Sequence, residues 1–191
     1  ESLTITANGT PVNFTAGSDG TYTFTMPSSD VEVNAKFQPR SYTVTFDPNG
    51  GTGTMEPQSA PEGSQVTLTA NAFTHDASKF FTGWNTASDG NGTDYPDGET
   101  VTLTGSLTLY AQWTEAAAAV WKNGTSTYYA TLEEALPHWT DNASLALRKD
   151  AAADITAGTG STLILNGHTL TGSITAGGNT FLTIQGSGTV N

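Results

Sequence analysis

The sequence predicts a mainly β fold, and three observations carry that prediction. Apolar and polar residues alternate with period two in one segment after another. The stretches between those segments are rich in Gly, Asn, Asp and Pro, the chemistry of tight turns. Near the C-terminal end, "ITAGTGSTLILNG" from Ile155 returns 19 residues later as "ITAGGNTFLTIQG" from Ile174. Repetition at a fixed period is how stacked structural units look in sequence.

Residues 1–39 form a first β module. "LTITANG" sets Leu3 and Ile5 on one face and closes at Asn8-Gly9, a dipeptide suited to positive φ. "GTYTFTMP" aligns Tyr22, Phe24 and Met26, and "DVEVNAKF" aligns Val31, Val33, Ala35 and Phe37. The piece is too small for a core of its own. Its opening, "ESLTITANGT", reads as mid-domain strand and turn, so the expectation is that the chain is part of something longer.

Pro39 marks a boundary, because it cannot donate to a ladder and extends the residue before it. Residues 40–114 are a second module. "SYTVTFDPNGG" sets Tyr42, Val44 and Phe46 on one face before a turn, and "SQVTLTA", "FFTGWNTA", "TVTLT" and "LTLYAQW" follow as strands. Residues 115–119, within "TEAAAA", read as a short link.

Residues 120–191 begin with the chain's one clear helix signal. In "TLEEAL", Thr131 is the N-cap and Glu134 completes a capping box, with Leu132, Ala135 and Leu136 apolar and Pro137 limiting the length. "ASLALRKD" then turns Leu145 and Leu147 inward. The two similar units read as coils of a right-handed parallel β-solenoid, capped by the helix. Stacking like on like predicts Leu145, Leu163 and Leu182 in one column, and Leu147, Leu165 and Ile184 in the next. Gly167 and Gly186 fall at tight turns. The alternative is a meander of antiparallel hairpins, which would pair 162–165 with 181–184 antiparallel.

Composition narrows the function classes. The chain has 191 residues, with 18 Asp+Glu against 6 Lys+Arg and a net charge of −12. That balance argues against nucleic acid, whose phosphates need clustered Lys and Arg. It argues equally against an anionic membrane surface. No apolar run is long enough to span a bilayer. The absence of cysteine removes disulfides, thiolate metal sites and cysteine nucleophiles together.

The motifs "YTVTFDPNGG" (42–51), "FTGWNTASDGNGTDYPDGETV" (81–101) and "LTLYAQW" (107–113) stand in an order that closely resembles the Listeria–Bacteroides repeat, the internalin-type B-repeat. The stretch "FTHDASKFFTGW" departs from the family pattern in one loop. The resemblance implies a small β-grasp-like module of secreted and wall-attached bacterial proteins, serving as a spacer and interaction unit. It makes Gly50, Gly51, Gly83, Trp84 and Trp113 structural motif residues. Residues 1–38, through "YTFTMPSSDVEVNAKF", resemble part of a divergent relative of that repeat. Residues 120–191 resemble the start of a pectate-lyase-like β-helix.

Candidate chemistry is sparse. Asp89 to Asp94, "DGNGTD", opens like a calcium loop, but the EF-hand pattern then asks for Gly at Asp94 and Glu at Thr100. His75, His138 and His168 lack metal-ligand spacing. Glu133 and Glu134 point apart on a helix, and Asp150 and Asp154 flank a turn, so no carboxylate pair suits glycoside chemistry. Trp84, Trp113, Trp121 and Trp139, with Phe80, Phe81, Tyr128 and Tyr129, could stack on a glycan; Trp84 and Trp113 read as core, which leaves Trp139, Tyr128 and Tyr129 as the less constrained candidates.

The expectation is therefore a non-catalytic segment of a bacterial cell-surface protein, extracellular or wall-attached, needing no cofactor or metal. It acts as spacer or adhesion module towards a host or bacterial surface protein or a glycan. Self-association through an open solenoid end is a further expectation. The alternative is the N-terminal part of a carbohydrate-active β-helix enzyme with catalytic coils beyond Asn191.

Overall fold

A computed structural model describes residues 2–177 and 181–191. The fold is mainly β, with one short α-helix among the described residues. The chain divides into two compact units, residues 1–41 and 42–191.

In the first unit, β1 (Ser2–Ala7) turns through Asn8-Gly9 into β2 (Thr10–Pro11). β3 (Phe14–Ala16) and β4 (Tyr22–Phe24) form a separate hairpin, held at one end by an edge-on contact of Phe14 with Tyr22 at 5.6 Å. β5 (Val31–Lys36) pairs antiparallel with β1, giving the order β2-β1-β5. Ile5 is the buried centre of this small sheet. Met26 and Phe37 fall outside β4 and β5 and are exposed, so the apolar alignment expected there stops one or two residues short.

The second unit begins with β6 (Ser41–Asp47), β7 (Gln58–Pro61), β8 (Gln65–Thr67), β9 (Lys79–Asn85), β10 (Asp94–Tyr95), β11 (Thr100–Thr102) and β12 (Leu107–Glu115). Five of these form one sheet in the order β10-β9-β12-β6-β7. Central β12 runs parallel to β6 and antiparallel to β9. β8 and β11 make a separate antiparallel pair. Val44, Leu68, Phe73, Trp84, Leu103, Leu109 and Ala111 make the buried core, drawn from β6, β9 and β12 and from residues just outside the strands.

β13 (Ala118–Lys122) and β14 (Thr125–Tyr129) form a hairpin closed by Asn123-Gly124. Helix α1 (Leu132–Ala135) follows, with the capping box in place: Glu134 N–H donates to Thr131 Oγ1 at 3.2 Å and Thr131 N–H donates to the Glu134 carboxylate at 3.3 Å. Pro137 turns the chain into a 3₁₀ turn at Leu136–His138. The remaining strands are β15 (Ser144–Leu147), β16 (Ala151–Ala152), β17 (Ile155–Ala157), β18 (Thr162–Ile164), β19 (Thr169–Thr171), β20 (Ile174–Ala176), β21 (Thr183–Gln185) and β22 (Thr189–Val190).

These strands stack in parallel ladders: β15-β18-β21, β16-β19-β22 and β17-β20. No antiparallel pairing joins β18 to β21. The stacked columns differ from expectation. Leu145 lies on Leu163, but Leu163 lies on Ile184 rather than Leu182, and Leu165 is not matched with Ile184. The ladder offset is 19 residues at Ile155–Ile174 and 21 residues at Leu163–Ile184, a difference of two. A slip of two keeps every side chain on its face, so the inward set survives while the partners change.

The expected link at 115–119 is strand at both ends. Glu115 closes β12 and Ala118 opens β13, with Ala116 and Ala118 fully buried. Ala116 N–H donates to Ser78 O at 2.7 Å on the β9 side, and Ala117 N–H to Tyr129 O at 2.9 Å on the β14 side. Small side chains are needed here because both neighbouring backbones approach closely.

Candidate interaction surfaces

Two asparagines organise the loops of the 42–112 sheet. Asn49 takes φ 46°, its N–H donates to Asp47 Oδ1 at 2.8 Å, and its side-chain amide donates to Ser88 O at 2.8 Å and Ala111 O at 2.9 Å. Asn85 is fully buried and fully partnered. Its Oδ1 accepts from Ala87 N–H at 2.8 Å and Gly92 N–H at 3.0 Å, and its Nδ2 donates to Gly90 O at 3.1 Å and Asp94 Oδ1 at 2.7 Å. Burial of so polar a group is tolerated because every donor and acceptor is matched.

That geometry accounts for the "DGNGTD" stretch. Asp94 is held by Asn85, and Asp89 accepts from the N–H and the amide of Asn91. The Asn91 backbone hydrogen bond, then its side chain, lowers the Asp89 pKa. Among the described residues, no three His, Asp or Glu side chains converge as a metal site.

The motif glycines sit where a side chain would not fit. A Cβ on Gly51 would lie 2.8 Å from both Thr74 O and Trp113 Cζ2. Gly83 has φ +143° against the Tyr95 carbonyl, and Gly50 has φ +89°. The aromatic side chains of this unit are turned on one another. Trp84, 1 % exposed, meets Phe46 and Phe81 at 4.9 Å and Phe73 at 6.0 Å, and its indole N–H donates to Asp97 Oδ1 at 3.2 Å. Trp113 packs edge-on to Phe81 at 5.7 Å and His75 at 5.2 Å, and donates to Pro48 O at 2.9 Å.

In the C-terminal part, Trp139 is 3 % exposed, and its indole N–H donates to Ala143 O at 3.2 Å. It seals the core beneath α1 and offers no ring face to a glycan, which corrects the expectation for that residue. Tyr129 packs on the same core and stacks on His138 at 5.1 Å. Tyr128 faces outward with the Arg148 guanidinium 5.3 Å from its ring centre.

The exposed indole belongs instead to Trp121, 50 % accessible, one of the wider set of rings and not among the three preferred for a glycan. The signal was present: Ala118 and Val120 point inward, so Ala119 and Trp121 must point out. Register places Ser126, Trp121, Ser144, Thr162 and Thr183 in one row across the outer face. Beside it run Tyr128, Ala119, Ala146, Ile164 and Gln185.

The last coil presents a different surface. Strands β21 and β22 are the final members of their sheets, and Phe181 (81 %), Ile184 (50 %) and Val190 are exposed there. One coil back, carboxylates stitch successive coils. Asp150 accepts from Thr169 N–H at 2.8 Å, and Asp154 accepts from Ser173 N–H and Oγ at 2.7 Å each. The Ser173 backbone bond, then its hydroxyl, lowers the Asp154 pKa.

Sheets of short strands, asparagine-stapled turns and aromatic cores characterise these β modules. Residues 42–112 match the model of the Listeria-Bacteroides repeat domain, and residues 2–41 match that of the Divergent InlB B-repeat domain. The chain thus carries a B-repeat preceded by a divergent B-repeat. No curated protein and no solved structure matches it.

Proposed function

We propose that this chain is a non-catalytic spacer segment of an extracellular bacterial surface protein, with β-grasp-like repeats leading into a right-handed parallel β-solenoid. The observation that carries the reading is the pair of adjoining repeat modules over residues 2–112, of a kind that occurs in bacterial surface proteins. The parallel ladders after Ser144 support the solenoid, since each coil returns to lie on the one before. Spacing needs folded length and no reactive centre. The test is to display a tagged reporter on a bacterial surface with and without residues 1–191. A spacer raises accessibility of the tag to a bulky antibody; unchanged accessibility would sink the reading.

A second reading, adhesion to glycan, is supported by Trp121. Its indole stands beside Ser126 and Ser144, with Tyr128 in the adjacent row. An exposed ring flanked by hydroxyls suits the apolar face and the hydroxyl rim of a sugar. Glycan-array binding that Trp121→Ala abolishes, with the fold intact, is the expected outcome of that reading. Self-association is a third element of the proposal, supported by exposed Ile184 on the edge strand β21 and exposed Phe181. Ile184→Lys should return any dimer seen in light scattering to monomer; a dimer that persists would locate the contact elsewhere.

A further inference from the structure

The sequence contains five Asn-Gly dipeptides, at Asn8, Asn49, Asn91, Asn123 and Asn166. All five share the local chemistry of amide loss. The glycine backbone nitrogen attacks the asparagine Cγ and gives its proton to solvent base. The Cγ–Nδ2 bond breaks and Nδ2 leaves as ammonia, closing a succinimide. Water then opens that ring at either carbonyl, yielding aspartate or isoaspartate with one new negative charge. No oxidant or reductant takes part. Sequence ranks the five alike, because glycine offers the attacking nitrogen without a side chain in the way.

The structure separates them. Three are held at both ends of the reacting pair or at the amide. The Asn49 amide is bound to Ser88 O and Ala111 O. The Asn91 amide is bound to Asp89, and Gly92 N–H is committed to the buried Asn85 Oδ1. The Asn166 amide donates to Leu147 O at 3.0 Å, and Gly167 N–H donates to Ser187 O. For each of these, attack must first break hydrogen bonds that organise a loop or join two coils.

Asn8-Gly9 and Asn123-Gly124 are different. Among the described residues, neither asparagine amide and neither glycine N–H has a hydrogen-bond partner. Nothing lies within 4 Å of the place where a Cβ on Gly9 or Gly124 would stand. Both turns are hairpin ends, so the rotation that brings nitrogen to Cγ disturbs only the closing pairs Ala7–Thr10 and Lys122–Thr125. Exposure alone would not make the choice, since Asn91 and Asn166 are exposed as well.

We propose that Asn8 and Asn123 are the two sites at which this protein spontaneously deamidates. The isoaspartyl product inserts an extra backbone methylene into a two-residue turn, so it loosens β1-β2 at one site and β13-β14 at the other.

The test is to age the full chain at mildly alkaline pH and map the five peptides by mass spectrometry. A parallel sample unfolded in urea gives the intrinsic rate of each. Asn8 and Asn123 should convert within a few-fold of their unfolded rates, with isoaspartate confirmed by isoaspartyl methyltransferase. Asn49, Asn91 and Asn166 should convert at least about tenfold more slowly than when unfolded. Even conversion over the five, conversion led by any of those three, or protection of Asn8 and Asn123 as strong as theirs would overturn the proposal. Asn85→Ala frees Gly92 N–H and should raise Asn91 conversion towards its unfolded rate, and a folded Asn85→Ala chain with Asn91 still protected would count against the mechanism.

Discussion

Trp84 concentrates the energetics of the repeat in one side chain. Its ring fills the space between Phe46, Phe73 and Phe81, and its indole N–H is matched by Asp97. Trp84→Ala removes that volume and leaves a cavity, at a cost of about 3–5 kcal/mol. Urea unfolding of the variant checks it; an unchanged midpoint would contradict the packing described. Asp76 makes a prediction about acid. It accepts from Ser78 Oγ at 2.5 Å, from Ser78 N–H at 3.0 Å, and pairs with His75. Those bonds, the Ser78 hydroxyl first, lower its pKa from 3.8 to about 2. On acidification the unfolded chain therefore takes up this proton first. The contribution is present in full above the unfolded value and is lost as pH falls from about 4 to about 2. The Asp76→Asn variant should show a shallower loss of melting temperature across that window than the parent, and equal slopes would remove Asp76 from the acid response.

Among the elements, α1 tests how far local signals decide structure. It has four residues, too few to hold by propensity, so its existence rests on the capping box and on burial of Leu132 and Ala135. Thr131→Ala should destabilise the C-terminal part by about 0.5–2 kcal/mol, read as an earlier loss of near-ultraviolet signal from Trp139. Thr131→Ser should recover most of it. This element was legible because capping is a contact between residues three apart in sequence. The inward parity of Leu145, Leu147 and Leu163 was legible for a similar reason, since alternation is local. The pairing of Leu163 with Ile184 was not, because a slip of two in register leaves every inward residue inward and so leaves no trace in the alternation. Trp139 was misread because it is buried in a core that includes Leu163, Leu165 and Leu170 from later coils, which a local window around "PHWTDN" does not reach. The strand ends that enter the link at 115–119 were not legible, because a run of alanines carries no alternation.

At the scale of residues 42–191, the junction at Ala116 raises the question of how strongly the repeat and the coils are coupled. The two hydrophobic cores are separate clusters, one around Trp84 and Leu109, the other around Leu145 and Leu163. What joins them is polar and short. Glu115 meets Lys79 at 3.6 Å and Arg148 at 3.3 Å, Lys149 Nζ donates to Thr114 Oγ1 at 2.8 Å, Ala116 N–H donates to Ser78 O, and Ala117 donates to Tyr129 O and accepts from Arg148 N–H. Exposed ion pairs contribute about 0–1 kcal/mol, and each net hydrogen bond about 0.5–1.5 kcal/mol. Those amounts fix the backbone path without making two cores unfold as one. The coils should be the weaker side, because the layer at Ile184 is half open to water whereas the layers at Leu109 and Trp84 are closed. Denaturation followed through Trp139 fluorescence in a variant with the other three indoles replaced by Phe should therefore precede the transition reported by Trp84 in the matching variant. Glu115→Ala should move the two midpoints further apart, as one shared residue is lost from both sides. Coincident midpoints that stay together in Glu115→Ala would mean that the buried junction at Ala116 couples the two cores far more strongly than its hydrogen bonds account for.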